Sequence, residues 1–182
     1  MGSGTVFSLQ YGAGDLSALR RSIYVSLLLI GTVTILLNVA VFLWLDPILR
    51  WLQVPYDIYP LMRNYLWIIF WGIVFTFLYN FYAALLRAVG DSVTPLWFLA
   101  VSVVLNIGLD LFLILVLDQG IEGAAVATVI AQGTAASGIL LYTYKIRPEL
   151  RLHREDMRFD RSSLREITSF STLTCVQQSV MN

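Results

Sequence analysis

The sequence predicts an all-α integral membrane protein, a polytopic bundle of transmembrane helices, and two observations support this fold class. The composition is 58% hydrophobic and only 13% charged, whereas soluble domains average roughly 45–50% and 25%. The charged residues are also unevenly spread, because about 24 consecutive positions between Arg21 and Asp46 carry none. A helix needs only about 20 apolar residues to cross a bilayer.

Further apolar stretches of similar length follow the first one. We expect residues 1–18 to be the end of a preceding helix and a cytoplasmic loop, and residues 19–146 to form four transmembrane helices of one bundle. Residues 147–166 are charged and contain a proline, which is typical of a solvated cytoplasmic linker between two bundles. The apolar stretches after the first one are residues 64–86, 95–117 and 123–144, and a fifth begins at 167 and is still uncharged at 182.

The positions of lysine and arginine predict the orientation, since cytoplasmic loops are enriched in both. Arg20 and Arg21 precede the first span, Arg87 follows the second, and seven basic residues between Lys145 and Arg165 follow the fourth. With these in the cytoplasm, the opposite side holds Arg50 and Arg63, both in an outer loop over residues 46–63. The prolines and aromatics of that loop are typical of an interfacial segment.

The loop between the second and third spans contains clear turn signals. Gly90 can end one helix, Asp91 or Thr94 can cap the next, and Pro95 suits a first helical turn. The turn over residues 118–122 is equally short. The second, third and fourth spans are therefore expected to be antiparallel neighbours in sequence order.

Asp110 is the only carboxylate inside any of the apolar stretches, and Asn106 lies one helical turn before it. An ionisable group at such depth costs roughly 2.5–3.5 kcal/mol on insertion scales, so it is either paired within the protein or binds an ion. Desolvation favours the neutral form of a carboxyl group, which suits proton loading, whereas Na⁺ would prefer the ionised form with neutral oxygens around it. Thr128, on the fourth span, can reach the same depth. These three residues are the candidate cation site; the alternative is a static hydrogen bond between helices.

The fourth span carries a stripe of small residues from Gly123 to Gly138, which predicts tight packing against the third span. Thr128 and Gln132 add polar groups four residues apart on the same helix. The second span is filled with aromatic side chains that face lipid, face protein or line an apolar cavity: Trp67, Phe70, Trp71, Phe75, Phe77, Tyr79, Phe81 and Tyr82.

Other functional classes find little support in the sequence. His153 and Cys175 are each the only residue of their type, which argues against a histidine or cysteine metal site and an internal disulfide. Phosphate-loop, nucleophile-elbow and zinc-protease motifs are absent from the sequence. We therefore expect no enzyme activity, no cofactor beyond a coupling ion, and no nucleic-acid partner.

Several motifs resemble the multidrug and toxic compound extrusion (MATE) transporter family. They are LRAVGDSVTP at the inner loop, NIGLD in the third span, GIEGAAVAT at the start of the fourth, and QYGAGDLSALRR near the amino terminus. By this resemblance the chain corresponds to helices three to six, the linker and the start of helix seven of a two-bundle transporter. It would then be a fragment that functions with the missing helices of the same transporter.

The resemblance implies export of organic cations or drugs across the cytoplasmic membrane in exchange for H⁺ or Na⁺. In one branch of the family an Asp on helix one, an Asn and an Asp on helix five and a Thr on helix six form a cation site, and the last three correspond to Asn106, Asp110 and Thr128. A flippase for lipid-linked saccharides, whose helices are arranged similarly, is the first alternative. The second is a non-transporting membrane assembly protein in which Asp110 only joins helices.

Overall fold

The computed structural model describes residues 2–152. Residues 153–182, which include His153, Cys175, most of the predicted linker and the predicted fifth span, lie outside the described residues. The α-helices are α1 (Gly2–Gly12), α2 (Leu16–Trp51), α3 (Tyr59–Ala88), α4 (Val93–Leu111) and α5 (Gly120–Ile146). A π-helical turn, Phe112–Val116, continues α4, and a 3₁₀ turn, Pro148–Leu150, follows α5.

Four of these segments are long and apolar enough to cross a membrane: α2, α3, α4 together with its π-helical turn, and α5. The four apolar stretches of the sequence coincide with them, except that Leu117 lies one residue beyond the third. The predicted fold class, a polytopic bundle of transmembrane helices, is thereby confirmed.

The outer loop is shorter than the sequence predicts. Helix α2 continues through Pro47 to Trp51, and α3 begins at Tyr59, so only residues 52–58 connect them instead of 46–63. Leu45 and Leu49 are almost fully buried and lie four residues apart on one helix face. Burial of this apolar face outweighs the hydrogen bond that Pro47 cannot donate.

The turn between α3 and α4 has the structure that its sequence predicts. Gly90 adopts φ 90°, a left-handed conformation that glycine reaches without steric cost. The Thr94 N–H and the Thr94 hydroxyl both donate to the Asp91 carboxylate, at 3.1 and 2.8 Å. Of the two predicted capping residues, Asp91 is therefore the one whose side chain caps α4.

The chain divides into two compact units, which are described separately. Unit 1 contains residues 2–32, 80–95 and 139–152 of the described chain. Its core is built from large side chains that are almost fully buried, and the rings of Phe7 and Phe81 meet edge to face at 6.2 Å. These core side chains are Phe7, Leu19, Ile23, Leu85, Leu86 and Ile139.

The first residues after α5 also pack within unit 1. Arg20 donates to the Glu149 carbonyl at 2.8 Å, and Leu150 is only 4% exposed. Arg151 folds back to donate to the Tyr144 carbonyl at 2.7 Å. The beginning of the predicted linker is therefore held against its bundle, whereas the sequence suggests a solvated segment.

Unit 2 contains residues 33–79 and 96–138. Within it the small residues of α5 lie against α4, as predicted. A Cβ atom at Gly123 would be 3.1 Å from the Leu113 Cβ, and one at Gly138 would be 2.7 Å from the Phe98 ring. Because these helices approach so closely, α4 and α5 form a fixed pair that positions the candidate site.

Candidate cation site

Helix α4 carries three polar side chains along one face, at Ser102, Asn106 and Asp110. Successive members are four residues apart and therefore lie about one turn from each other. The Ser102 hydroxyl donates to the Ala131 carbonyl of α5 at 2.9 Å. This polar face of α4 is thus turned toward α5.

Asn106 and Thr128, predicted from sequence to belong to one site, meet in the structure. The Asn106 side-chain amide lies 3.4 Å from the Thr128 hydroxyl oxygen, at the long end of hydrogen-bonding distance. Thr128 donates its own proton to the Ala124 carbonyl at 2.9 Å. Its oxygen therefore retains acceptor capacity toward a donor or a cation.

Asp110 is in a different situation from its neighbours. The residue is half-buried, and its Oδ1 atom is buried without a hydrogen-bond partner among the described residues. No hydrogen bond within the described chain joins its carboxylate to Asn106 or Thr128. The structure therefore unites two of the three predicted site residues and leaves the third one turn away.

The register of α4 on α5 explains why this carboxylate oxygen lacks a partner. The two helices run antiparallel, since Ser102 contacts Ala131, Asn106 contacts Thr128, and Leu113 lies beside Gly123. Asp110 consequently falls level with residues 124–127, whose side chains are all alanine or valine. Helix α5 offers no side-chain donor there. A buried polar atom without a partner is costly and often marks a ligand position.

The backbone also changes immediately after Asp110. The regular α-helix ends at Leu111, and the Leu117 N–H donates to the Phe112 carbonyl at 3.2 Å in the π-helical turn. Such turns interrupt the usual i to i+4 pattern and are frequent at functional sites. The sequence predicts one regular helix through this span and gives no sign of the π-helical turn.

Two polar residues near the site have structural contacts that the sequence did not assign. Ser102 was not among the site residues predicted from sequence, although its spacing of four residues from Asn106 places it on the same helix face. Gln132 lies against α3, since a Cβ at Gly72 would be 2.5 Å from the Gln132 Oε1. Ser102 therefore bonds α4 to α5, and Gln132 packs α5 on α3.

The comparison with known proteins agrees with this helical architecture. Residues 1–112 match the MatE family model. "Probable multidrug resistance protein YpnP" of Bacillus subtilis is 40% identical over 141 residues, which cover 78% of this chain and 32% of that protein. "Probable multidrug resistance protein YoeA" of the same organism is 33% identical over 165 residues, 88% of this chain and 34% of that protein.

A solved structure shows the same fold. An inward-facing multidrug resistance MATE family transporter of the MOP superfamily superposes with a TM-score of 0.85 at 21% identity, over 93% of this chain and 39% of that one. The fold is thus that of a multi-pass membrane protein. The chain belongs to the MATE family of multidrug efflux transporters, and it spans about a third of the length of the curated relatives it matches.

Proposed function

We propose that this chain is the part of a secondary active efflux transporter that binds the coupling cation, H⁺ or Na⁺. The exported substrate is an organic cation or drug, and the membrane is the cytoplasmic membrane. Asp110 is the principal ligand, and Asn106 and Thr128 supply neutral oxygens. The observation that carries the proposal is the buried Asp110 Oδ1, which has no hydrogen-bond partner among residues 2–152 and lies one turn from the contact between Asn106 and Thr128.

The chemistry of the three side chains suits this role. A carboxylate inside a membrane bundle is either neutralised by a proton or balanced by a bound cation. Carbonyl and hydroxyl oxygens beside an interrupted helix are typical ligands of coupling ions in transporters. Asn106 Oδ1 and Thr128 Oγ1 are such oxygens, and the π-helical turn directly follows Asp110.

Binding of the cation changes the charge of Asp110 and so changes which helix arrangement is favoured. A ligand shifts a conformational equilibrium only by its difference in affinity for the two states. Helices that lie outside this chain would complete the cavity and alternate its access. The role of Asp110 is to make the inward-open and outward-open states differ in affinity for the cation.

The test uses the full-length protein reconstituted in vesicles, with export of a fluorescent organic cation recorded under imposed pH or Na⁺ gradients. We expect Asp110→Asn to abolish gradient-driven export while the protein still inserts and folds. Asp118→Asn is the matched control, because Asp118 is exposed in the turn before α5 and adopts φ 51°, which asparagine tolerates well. This control should export like the parent.

Three outcomes would contradict the proposal. If Asp110→Asn exports with the same pH and Na⁺ dependence as the parent, Asp110 is not the coupling residue. If neither gradient drives export by the parent, the drug-efflux assignment is wrong, and transport of lipid-linked saccharides is the next assay. Loss of folding in Asp110→Asn without any ion effect would assign Asp110 to helix assembly alone.

A further inference from the structure

Unit 2 contains an apolar groove between α2 and α3 that the cation site does not use. Its volume is about 350 Å³, and aromatic rings form its walls, with Phe42 at 5.9 Å from Trp67 and 5.6 Å from Trp71 between ring centroids. We call it the aromatic groove, and its lining residues are Ile35, Asn38, Val39, Phe42, Trp67, Trp71 and Val74.

The aromatic groove is suited to hydrocarbon. Its one amide side chain, Asn38, is buried and donates to the Phe70 carbonyl at 2.7 Å, so that its amide nitrogen is already bonded. The remaining lining side chains are aliphatic or aromatic. Aromatic side chains contribute large apolar surfaces, and the groove therefore presents an apolar surface suited to an acyl chain.

A second cavity, of about 700 Å³ and more polar than the aromatic groove, lies at the end of the same helix pair. Two of its lining side chains, Arg50 and Gln53, bear polar groups suited to a phosphate. The guanidinium of Arg50 is exposed and makes no hydrogen bond or ion pair within the described chain. We call it the polar cavity, and it is lined by Arg50, Gln53, Val54, Pro55, Tyr56 and Tyr59.

An ion pair lies between the two cavities along α2 and α3. Arg63 donates to Asp46 at 2.8 Å, and the Tyr59 hydroxyl donates to the same oxygen at 2.9 Å. Asp46 lies four residues from both Phe42 and Arg50 on α2, and Arg63 lies four from both Tyr59 and Trp67 on α3. Side chains four apart share a helix face, so the two cavities follow one another along the same faces of α2 and α3.

The spacing matches one leaflet of a bilayer. A helix rises about 1.5 Å per residue, so the groove extends from about 6 Å beyond Arg63, at Trp67, to about 17 Å, at Val74. Half of a hydrocarbon core is about 15 Å thick. Trp51 and Tyr56 beside the polar cavity are 86% and 94% exposed, as is typical of aromatics at headgroup level.

The backbone at Gln53 provides an independent indication. Gln53 adopts φ 53°, a left-handed conformation that favours glycine, yet a polar side chain occupies this position and lines the cavity. Non-glycine residues in this region often lie at ligand sites.

We propose that the aromatic groove and the polar cavity together bind one phospholipid, with an acyl chain in the groove and the phosphate at Arg50. The headgroup is zwitterionic, of the phosphatidylethanolamine class. Asp57 is exposed and lies in sequence between the lining residues Tyr56 and Tyr59; a carboxylate beside the cavity disfavours a headgroup of net negative charge and favours one with its own ammonium group. The proposal does not depend on the exported substrate or on the coupling ion.

The test is native mass spectrometry of the full-length protein, titrated with phosphatidylethanolamine and with phosphatidylglycerol. We expect one tightly bound phosphatidylethanolamine and weaker binding of phosphatidylglycerol. Arg50→Gln should weaken phosphatidylethanolamine about tenfold, because a charge-assisted bond to the phosphate is lost. The matched control is Arg87→Gln, an exposed arginine at the end of α3 in unit 1, which should bind like the parent.

Two further measurements test the groove itself. Val39→Trp fills the aromatic groove without touching Arg50 and should weaken the same lipid, and a photoreactive residue at Phe42 should cross-link to lipid. Tryptophan fluorescence during heating shows whether each variant is folded. Equal phosphatidylethanolamine binding by parent and Arg50→Gln, preference for phosphatidylglycerol, or cross-linking of position 42 to another protein segment would each overturn the proposal.

Discussion

The two units of the described chain differ in formal charge and in the kind of buried polar atom that lacks a hydrogen-bond partner. The described residues of unit 1 include six basic and three acidic ones, a formal charge of +3, whereas unit 2 has two basic and five acidic residues, a formal charge of −3. In unit 1 the buried atoms without partners, on Gln10, Ser22 and Ser26, are neutral. In unit 2 the atom without a partner belongs to the carboxyl group of Asp110.

The backbone shows the same contrast. The positive-φ residues of unit 1 are glycines, Gly14 and Gly90, whereas unit 2 places Gln53 and Asp118 in this conformation alongside Gly120. Among the described residues, positive φ angles in unit 1 are therefore confined to glycine, whereas unit 2 departs from this backbone preference at two positions. Such departures are expected at functional sites. This contrast supports the proposal that ligands bind in unit 2.

The largest expected effect comes from making the same substitution in each unit. Asp110→Asn should abolish gradient-driven export without lowering the thermal unfolding temperature. The Asp110 side chain makes no hydrogen bond to another described residue, so the substitution removes none. Asp91→Asn should keep gradient-driven export, since asparagine also caps helices well. Export in vesicles and tryptophan-monitored unfolding measure the two effects. Equal loss of export in both variants would break the distinction between the units.

The next effect concerns the close packing of α5 in unit 2. Gly138→Ala would place a Cβ 2.7 Å from the Phe98 ring, and such overpacking typically costs about 1–3 kcal/mol. Gly133→Ala is the control, because its Cβ would meet the Phe75 ring at an ordinary 3.7 Å and alanine favours helix. Thermal unfolding should separate the two variants; similar unfolding temperatures would show that Phe98 moves freely.

Asp91 should contribute about 1–2 kcal/mol to the stability of unit 1, the range of strong helix caps. Asp91→Ala removes the acceptor for Thr94, for the Tyr142 hydroxyl at 3.3 Å, and for Arg147 at 3.8 Å. The unfolding temperature at neutral pH measures the loss. An unchanged value would mean that the α3–α4 turn is held by Gly90 and Pro95 without this carboxylate.

The contribution of Asp91 should also depend on pH. Burial raises the pKa of the Asp91 carboxyl, but the hydrogen bonds from Thr94 and Tyr142 and the nearby Arg147 outweigh burial and lower the pKa below its usual value. A carboxyl group with a lowered pKa stabilises the folded state above its unfolded pKa of about 3.9, and this stabilisation is lost as the pH falls through the folded value. The difference in unfolding temperature between the parent and Asp91→Ala should therefore shrink in acid. A difference that grows in acid would contradict a lowered pKa of Asp91.

The smallest expected effects have opposite signs in the two units. Gly90→Ala places a Cβ at φ 90° and should destabilise unit 1 by about 1 kcal/mol, whereas Gln53→Gly relieves a left-handed glutamine and should stabilise unit 2 by up to about 1 kcal/mol. Gln53→Gly should also bind phosphatidylethanolamine more weakly. The change in thermal unfolding temperature shows whether each variant is destabilised or stabilised. Destabilisation by Gln53→Gly would show that the left-handed backbone at Gln53 is not strained, and the backbone difference between the units would then have no energetic meaning.

Much of the fold was predictable from the sequence for physical reasons that act locally. The match between uncharged segment length and bilayer thickness depends only on consecutive residues, so all four spans were located. The α3–α4 turn was predictable because Gly90 and Asp91 act within a few residues of themselves. Asp110 was identifiable because a lone carboxylate in an apolar stretch is costly wherever its helix packs.

Other features depend on how the helices meet, and only the tertiary structure decided them. The sequence could not show that Pro47 lies inside α2, because burial of Leu45 and Leu49 depends on neighbouring elements. It could not show which second-span aromatics line a cavity, since Trp67 and Trp71 do so only opposite Phe42.

The candidate site divides in the same way. The residue types and their spacing of four determined that Asn106 and Asp110 share a face of α4, a property of any α-helix. The register and rotation of α5 against α4 decided that Thr128 meets Asn106. They also place residues 124–127, which are alanine or valine, level with Asp110. Such registers arise from packing between distant residues. For this reason the tertiary structure alone shows that the Asp110 carboxylate lacks a partner within the described chain.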